Sequence, residues 1–313
     1  MNFKEVGLWI ILAGLALMFC WLGGLIFLFL LPLPLAFLVN RQGGKSVGVA
    51  AVGLAGLLLL LYGLKWISLL EAVFLAGQII FLGWLLGWLF KQQKNYLKGL
   101  ASFLAAEAGL NLLFFLLAFW WIMPQEFTVW TQEMAVYLQQ SLKGYADLTQ
   151  GQISDRSIGE LVQWCLHLIP SMLLIYSLFF GLITWNLAYR VLKNWKLPVC
   201  ESIRFSRWHL PWPSIWVVIP GLAIYLLGWQ FGQSSLHLIG ANWLYVCGFI
   251  FGLAGLSLVI YLNQKWRVAG FFKFLLVVFL IINGLFMILL PILGILDALL
   301  DWRRKFEKKG NEQ

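Results

Sequence analysis

Apolar residues run along this chain in long blocks, separated by short polar stretches. The blocks cover residues 6–20, 23–39, 46–63, 67–90, 97–122, 162–189, 214–229, 241–262 and 270–299. Most approach the length of about 20 residues that carries an α-helix across the hydrocarbon of a bilayer. None alternates apolar and polar residues with the period of two that a barrel strand needs. Glycine and proline fall inside several blocks, which membrane helices tolerate because neighbouring groups satisfy the freed backbone. The pattern predicts an all-α, polytopic transmembrane helical bundle of about 8–10 spans. The first two blocks, joined by "CWLGG", read either as two short helices or as one segment broken at Gly23-Gly24.

One stretch departs from this pattern. In residues 125–160, Phe127, Trp130, Met134, Tyr137, Leu138 and Leu142 recur at helical spacing with Gln, Glu and Lys between them. That is the signature of an amphipathic helix lying on the outer membrane face or capping the bundle. "GYADLTQGQISD" ends it. "SIGE", Ser157 to Glu160, has capping-box form and predicts a new helix from about Ile158, with a kink at Pro170. The chain therefore divides into an N-terminal membrane bundle (1–122), an extracytoplasmic amphipathic segment (123–160), a C-terminal membrane bundle (161–300) and a basic tail (301–313). There is no linker that would make the bundles independent domains.

Composition agrees. Of 313 residues, 62% are hydrophobic and 11% charged, with a mean hydropathy of +0.86. Soluble domains carry about 25% charged residues, so this much apolar surface would not fit inside one water-soluble core. The net charge of +9 sits in short patches between the blocks. It reads as an orientation signal rather than a nucleic-acid surface. Arg41 and Lys45 form one patch. Lys91, Lys94 and Lys98 form a second. Arg190, Lys193, Lys196, Arg204 and Arg207 stand against Glu201 alone, and Lys265, Arg267 and Lys273 form a fourth. With each block counted as a crossing, all four patches and Lys4 share one side. The positive-inside rule makes that side cytoplasmic. The expectation is a multi-pass protein of the inner or plasma membrane with a cytoplasmic N-terminus. No A-x-A cleavage site follows the first block, which reads as a retained helix. The last block is about 30 residues, roughly 45 Å of helix, long for one crossing. A break at Asn283-Gly284 or Pro291 would make it a hairpin and keep the tail of Arg303, Arg304, Lys305, Lys308 and Lys309 inside.

The candidate chemistry is sparse. Cys20, Cys165, Cys200 and Cys247 lie far apart with no C-x-x-C, and His167, His209 and His237 are equally scattered. No metal-ligand spacing, no cofactor motif and no Ser-His, Cys-His or H-E-x-x-H arrangement is present, so neither a metal site nor a catalytic residue is expected, and no enzyme. "GGKS" at 43–46 ends like a phosphate-binding loop, but Val39 stands where that loop needs a glycine. Among 13 acidic residues, only Glu71 and Glu107 lie plainly inside a block. An acid at a membrane-helix centre costs about 2.5–3.5 kcal/mol on insertion scales. Such residues face a bundle interior or a water-filled cavity. Asn111 follows Glu107 at i+4 on the same face. Gln78 on the preceding helix lies at similar depth, with Glu71 about two turns nearer the outside. Glu107, Asn111, Gln78 and Glu71 are therefore the candidate substrate-binding residues. The competing reading is an interhelical hydrogen bond from Glu107 to Gln78 that only fixes packing. Ala101, Ala105 and Gly109, the pair Gly83 and Gly87, and the pair Gly248 and Gly252 mark close helix contacts, expected mainly within the chain.

Three stretches, "LPLPLAFLVNRQGGKSVGVA", "FSRWHLPWPSIW" and "LGILDALLDWRRK" with Gly294, Asp297, Trp302 and Arg303, occur in an order that resembles the YybS-like family of bacterial membrane proteins, a domain of unknown function. That resemblance implies a distant relation, through the N-terminal helices, to the substrate-binding S-components of energy-coupling-factor transporters. Those bind small molecules and rely on a separate membrane coupler with ATPases. This chain departs from them in having more helices and a long outer insertion. Their N-terminal Ala-xxx-Ala docking motif has its nearest counterpart at Ala51 and Ala55. Two functions follow as expectations. One is small-molecule binding or transport through a polar pocket in the N-terminal helices, with a membrane-protein partner or coupler. The other is a non-transport scaffold or regulatory protein that binds anionic lipid or a protein partner through its basic loops.

Overall fold

The computed structural model describes residues 31–43, 48, 56, 69–92, 95–117, 124–148, 155–265 and 284–303, and for a few of these, Glu71 among them, the backbone alone. Among the described residues every regular element is a helix. In chain order they are α1 (Pro32–Gln42), α2 (Leu69–Lys91), α3 (Tyr96–Leu117), α4 (Pro124–Leu148), α5 (Asp155–His167), α6 (Ile169–Asn194), α7 (Val218–Gln230), α8 (Ser234–Lys265) and α9 (Gly284–Leu300). Two 3₁₀ turns, Phe205–Arg207 and Trp212–Val217, lead into α7. Val73–Lys91, Tyr96–Leu117, Ile169–Asn194, Trp212–Gln230 and Ser234–Lys265 are each long and apolar enough to cross a membrane. The chain is thus a polytopic all-α membrane protein. The first block of the sequence, the second as far as residue 30, nearly all of the span at 46–63 and the residues between α8 and α9, including Asn283 of the anticipated break, lie outside the described residues.

The chain forms two compact units. Unit 1 comprises Met1–Pro124 and Tyr176–Ser202, and unit 2 comprises Gln125–Ile175 and Ile203–Gln313. Helix α6 contributes its first residues to unit 2 and the remainder to unit 1.

In unit 1, α1 lies parallel to α2 on the two glycines of the G-x-x-x-G pair. A Cβ added to Gly83 would come within 2.8 Å of Leu35 and 2.9 Å of the Pro32 carbonyl. One added to Gly87 would meet the Ala36 carbonyl at 2.5 Å. Only bare α-carbons let the two backbones approach this closely. Helix α3 returns antiparallel to α2, with Phe74 stacked on Phe114 at 3.8 Å. The unit 1 part of α6 runs antiparallel to α3, and Trp185 of α6 fills the centre. Its fully buried indole lies 4.4 Å from Phe90, 5.8 Å from Tyr96 and 5.9 Å from Phe103 between ring centroids. These directions bring the ends of α1, α2 and α6 together with the start of α3. Arg41, Lys91, Lys98, Arg190, Lys193 and Lys196 are all exposed at that one end. Phe37 packs edge-on against Trp195 at 5.3 Å, and the Asn40 amide donates to the Pro198 carbonyl at 3.1 Å to close it. Described residues of three of the four basic patches thus share one end of unit 1; Arg204, Arg207 and Lys265 belong to unit 2, and Lys45, Lys94, Arg267 and Lys273 lie outside the described residues.

In unit 2, α4 and α5 form a hairpin. Ile158 and Val162 are buried against Ala135, Leu138, Leu142 and Leu166. Tyr137, expected in the apolar stripe, is 66% exposed. Helix α5 begins at Asp155, three residues before the capping box predicts, and stops at His167. Pro170 therefore marks a boundary rather than a kink, because it occupies the first turn of α6, where its missing N–H costs nothing. Asn242 of α8 bridges this break. Its amide donates to the His167 carbonyl at 2.9 Å and accepts from the Ser171 N–H at 3.0 Å. Helices α7 and α8 form an antiparallel hairpin turned at Gly232, whose φ of +64° favours glycine. A Cβ on Gly228 or Gly240 would overlap the facing backbone of His237 or Tyr225. Helix α9 meets α8 at Gly255 and Gly294, where a Cβ on either would overlap the carbonyl of Leu290 or Phe251. The expected pair Gly248 and Gly252 does not make this contact. Gly248 faces open space, and Gly252 touches only the Pro291 ring at 3.7 Å. The row Ala101, Ala105 and Gly109 is likewise exposed, with nothing near Gly109.

Candidate intramembrane polar site

The candidate site lies wholly within unit 1, where α2, α3 and α6 meet. Each helix is apolar enough that its few polar side chains must find one another or stand unsatisfied in hydrocarbon. The Gln78 amide on α2 donates to the Asn111 side-chain oxygen on α3 at 3.1 Å. The Asn111 amide in turn donates to the Ser177 hydroxyl on α6 at 2.9 Å. Three helices are thus joined by one chain of neutral hydrogen bonds.

Glu107 lies one turn earlier on α3. Its side chain turns toward α6 and lies against Gly181, one turn after Ser177. A Cβ on Gly181 would overlap the Glu107 carboxyl and the Leu104 side chain. Glu107 is 7% exposed, and its Oε2 has no hydrogen-bond partner. Gln78 donates to Asn111 and not to Glu107, so the carboxyl oxygen stands beside the polar chain without joining it. Glu71 lies two turns before Gln78 on α2, and its side chain is outside the described residues.

Two members of this arrangement, Ser177 and Gly181, were not legible as site residues. They form a small-xxx-small pair in α6, the spacing that brings membrane helices into close contact. That spacing was their one available signal. A buried carboxyl with an open acceptor oxygen can take up a proton, or receive a hydrogen bond from a cationic or neutral donor. Amides and a hydroxyl nearby supply both donors and acceptors. Among the described residues no group of three His, Cys, Asp or Glu side chains is placed to hold a metal ion.

A family model described as a predicted membrane protein, DUF2232, matches residues 7–298. The chain belongs to this family. The match takes in both units and every residue of the polar site of this DUF2232 protein. No curated protein and no solved structure matches the chain.

Proposed function

We propose that this DUF2232 protein binds a small molecule or ion within the membrane and moves it or presents it to a partner, with Glu107 as the group that engages the cargo. The observation that carries this reading is the buried Glu107 carboxyl with an unpartnered oxygen, set against Gly181. Buried polar atoms are almost always satisfied. An ionisable group inside a membrane protein, with an open acceptor, has the character of an ion, proton or substrate pathway. A residue kept only for packing would be expected to satisfy its oxygens. The nearby chain of Gln78, Asn111 and Ser177 adds three side chains that can exchange their mutual bonds for bonds to a ligand. The resemblance to S-components supports the same reading and brings with it a membrane coupler as partner. We read the protein as a binder or carrier and not as an enzyme, acting in the bacterial plasma membrane with the basic end of unit 1 in the cytoplasm.

The test is thermal unfolding of the purified full chain in detergent against a panel of monovalent and divalent cations and water-soluble metabolites. At least one should raise the melting temperature, and Glu107→Gln should abolish that rise while leaving the ligand-free protein folded. A ligand response undiminished in folded Glu107→Gln would sink this reading.

A second reading rests on the exposed Arg41, Lys91, Lys98, Arg190, Lys193 and Lys196 at one end of unit 1. Such a surface suits anionic lipid or an acidic partner, at about 1 kcal/mol per basic residue near the membrane. It predicts that neutralising Lys98, Arg190 and Lys193 together releases the partner, whereas Glu107→Gln does not.

A further inference from the structure

The surroundings of Glu107 limit what it can engage. Helices α3 and α6 run antiparallel here, so their residues meet in layers. Glu107 meets Gly181 in one layer, and Asn111 meets Ser177 in the next. Four residues of helix separate the two layers by about 6 Å. The carboxyl itself fills the space that Gly181 leaves. A Cβ there would overlap Oε2 and lie 2.7 Å from Leu104 and 3.2 Å from the Glu107 carboxyl carbon. The missing side chain therefore makes room for the acid and not for a bulky guest against it. An ion of atomic size needs much less space. One lying between the layers would be about 3 Å along the helix axis from each.

Both layers carry oxygens. Oε2 of Glu107 is buried and accepts no hydrogen bond. The Asn111 side-chain oxygen accepts one from Gln78, and the Ser177 hydroxyl accepts one from Asn111. An amide oxygen and a hydroxyl each have two lone pairs, so one accepted bond does not by itself exhaust either. Hard cations take oxygen ligands, and inside a membrane such oxygens replace the hydration shell. Charge then selects among the hard cations. Of the acids, only Glu107 and Glu71 lie plainly inside apolar blocks, and Glu71 stands seven residues before Gln78. That is about 10 Å along α2, too far to share an ion held at Asn111. One carboxylate cancels one positive charge. A divalent ion would leave the site charged in hydrocarbon, where uncompensated charge is expensive.

Building on the reading of Glu107 as the group that engages the cargo, we propose that the cargo is a bare alkali-metal cation. It is held between the two layers by the Glu107 carboxylate and the side-chain oxygens of Asn111 and Ser177. Gln78 is a positioning residue, since its amide fixes the Asn111 oxygen.

Thermal unfolding of the purified full chain in detergent tests this. Lithium, sodium and potassium chloride are each titrated against choline chloride at constant ionic strength. At least one alkali cation should raise the melting temperature saturably, and magnesium and calcium chloride should not. Glu107→Gln should abolish the rise. Ser177→Ala should keep it but increase the half-saturating concentration about tenfold, as loss of one oxygen bonded to a charge implies. If Glu107→Gln does not fold, the Ser177→Ala shift decides alone. No saturable alkali response overturns the proposal, as does an unchanged half-saturating concentration in Ser177→Ala. A Glu107-dependent rise that a divalent cation or a metabolite gives as well or instead overturns it too, and leaves the broader reading of Glu107 standing. An alkali response undiminished in folded Glu107→Gln overturns both.

Discussion

At the scale of single residues, Gly181 decides where the Glu107 carboxyl can be. Gly181→Ala places a methyl group where that carboxyl and Leu104 now lie. Overpacking of this kind costs about 1–3 kcal/mol. Thermal unfolding in detergent should show that loss. Removing the carboxyl in Glu107→Ala makes room for the methyl, so the double variant should be more stable than the sum of the single changes implies, by about 0.5–3 kcal/mol of coupling. Additive effects would mean that the two positions do not touch. Arg303 offers a second case. Its guanidinium donates to Asp297 at 2.9 Å, to the Ser206 carbonyl at 2.7 Å and to the Ser257 hydroxyl at 3.2 Å, with both partners of the ion pair almost fully buried. Arg303→Met leaves the Asp297 charge without its partner and should destabilise unit 2 by about 3–5 kcal/mol. Arg303→Met combined with Asp297→Leu should recover most of that loss, measured in the same unfolding assay. Cys200, outside the spans, is a third. Burial pushes its thiol above the ordinary value. The thiolate is therefore scarce near neutral pH, and maleimide should label Cys200 more slowly than the half-buried Cys165. The protonated thiol's contribution to stability is full below the unfolded thiol's range. It is lost as pH rises through the raised folded value.

At the scale of elements, the sequence announces what the hydrocarbon enforces. A segment that must cross a bilayer has to be apolar throughout, so α2, α3, α6 and α8 coincide with blocks visible in the residue pattern. Gly83 and Gly87 were legible for the same reason that they work, since small residues four apart form one ridge of a helix. What the pattern does not carry is which ridge meets which helix. The glycine pair of α8 was expected at Gly248 and Gly252, but contact falls on Gly255, which pairs with Gly294. The choice depends on the rotation of α9 about its own axis, and no local periodicity records that. Gly255→Val should therefore disrupt the α8–α9 contact, whereas Gly248→Val should not, read as loss or retention of cooperative unfolding. The break at Leu168 was only half legible, since Pro170 marked a kink there and not a helix boundary. The apolar block runs through it, and Asn242, 71 residues from Ser171, bonds to both sides of it. Gln78 and Asn111 could be placed at one depth from sequence, but Ser177 could not. A lone hydroxyl in an apolar helix gives no sign of its partner.

At the scale of the molecule, charge placement is the most legible feature. The basic stretches around Arg41, Lys91 and Lys98, and Lys193 are far apart in sequence, and the helix directions of unit 1 bring them to one end. Single cysteines introduced by Arg41→Cys, Lys98→Cys and Lys193→Cys in a cysteine-free background should all react with a membrane-impermeant maleimide from the same side. By the positive-inside rule, the side expected is the cytoplasm. Labelling of any one of the three from the opposite face would break the topology of unit 1. The row of Ala101, Ala105 and Gly109 belongs to this scale too, since all three are exposed and no described residue lies near the Gly109 α-carbon.

The bare α-carbon opposite Glu107 also constrains how this lineage can change. A mutation that gives position 181 any side chain displaces the acid, and one that shortens position 107 leaves only Leu104 against that side chain. Across related genes the two sites should therefore drift as a pair, with glycine retained wherever the acid is inherited and larger residues admitted only after its loss.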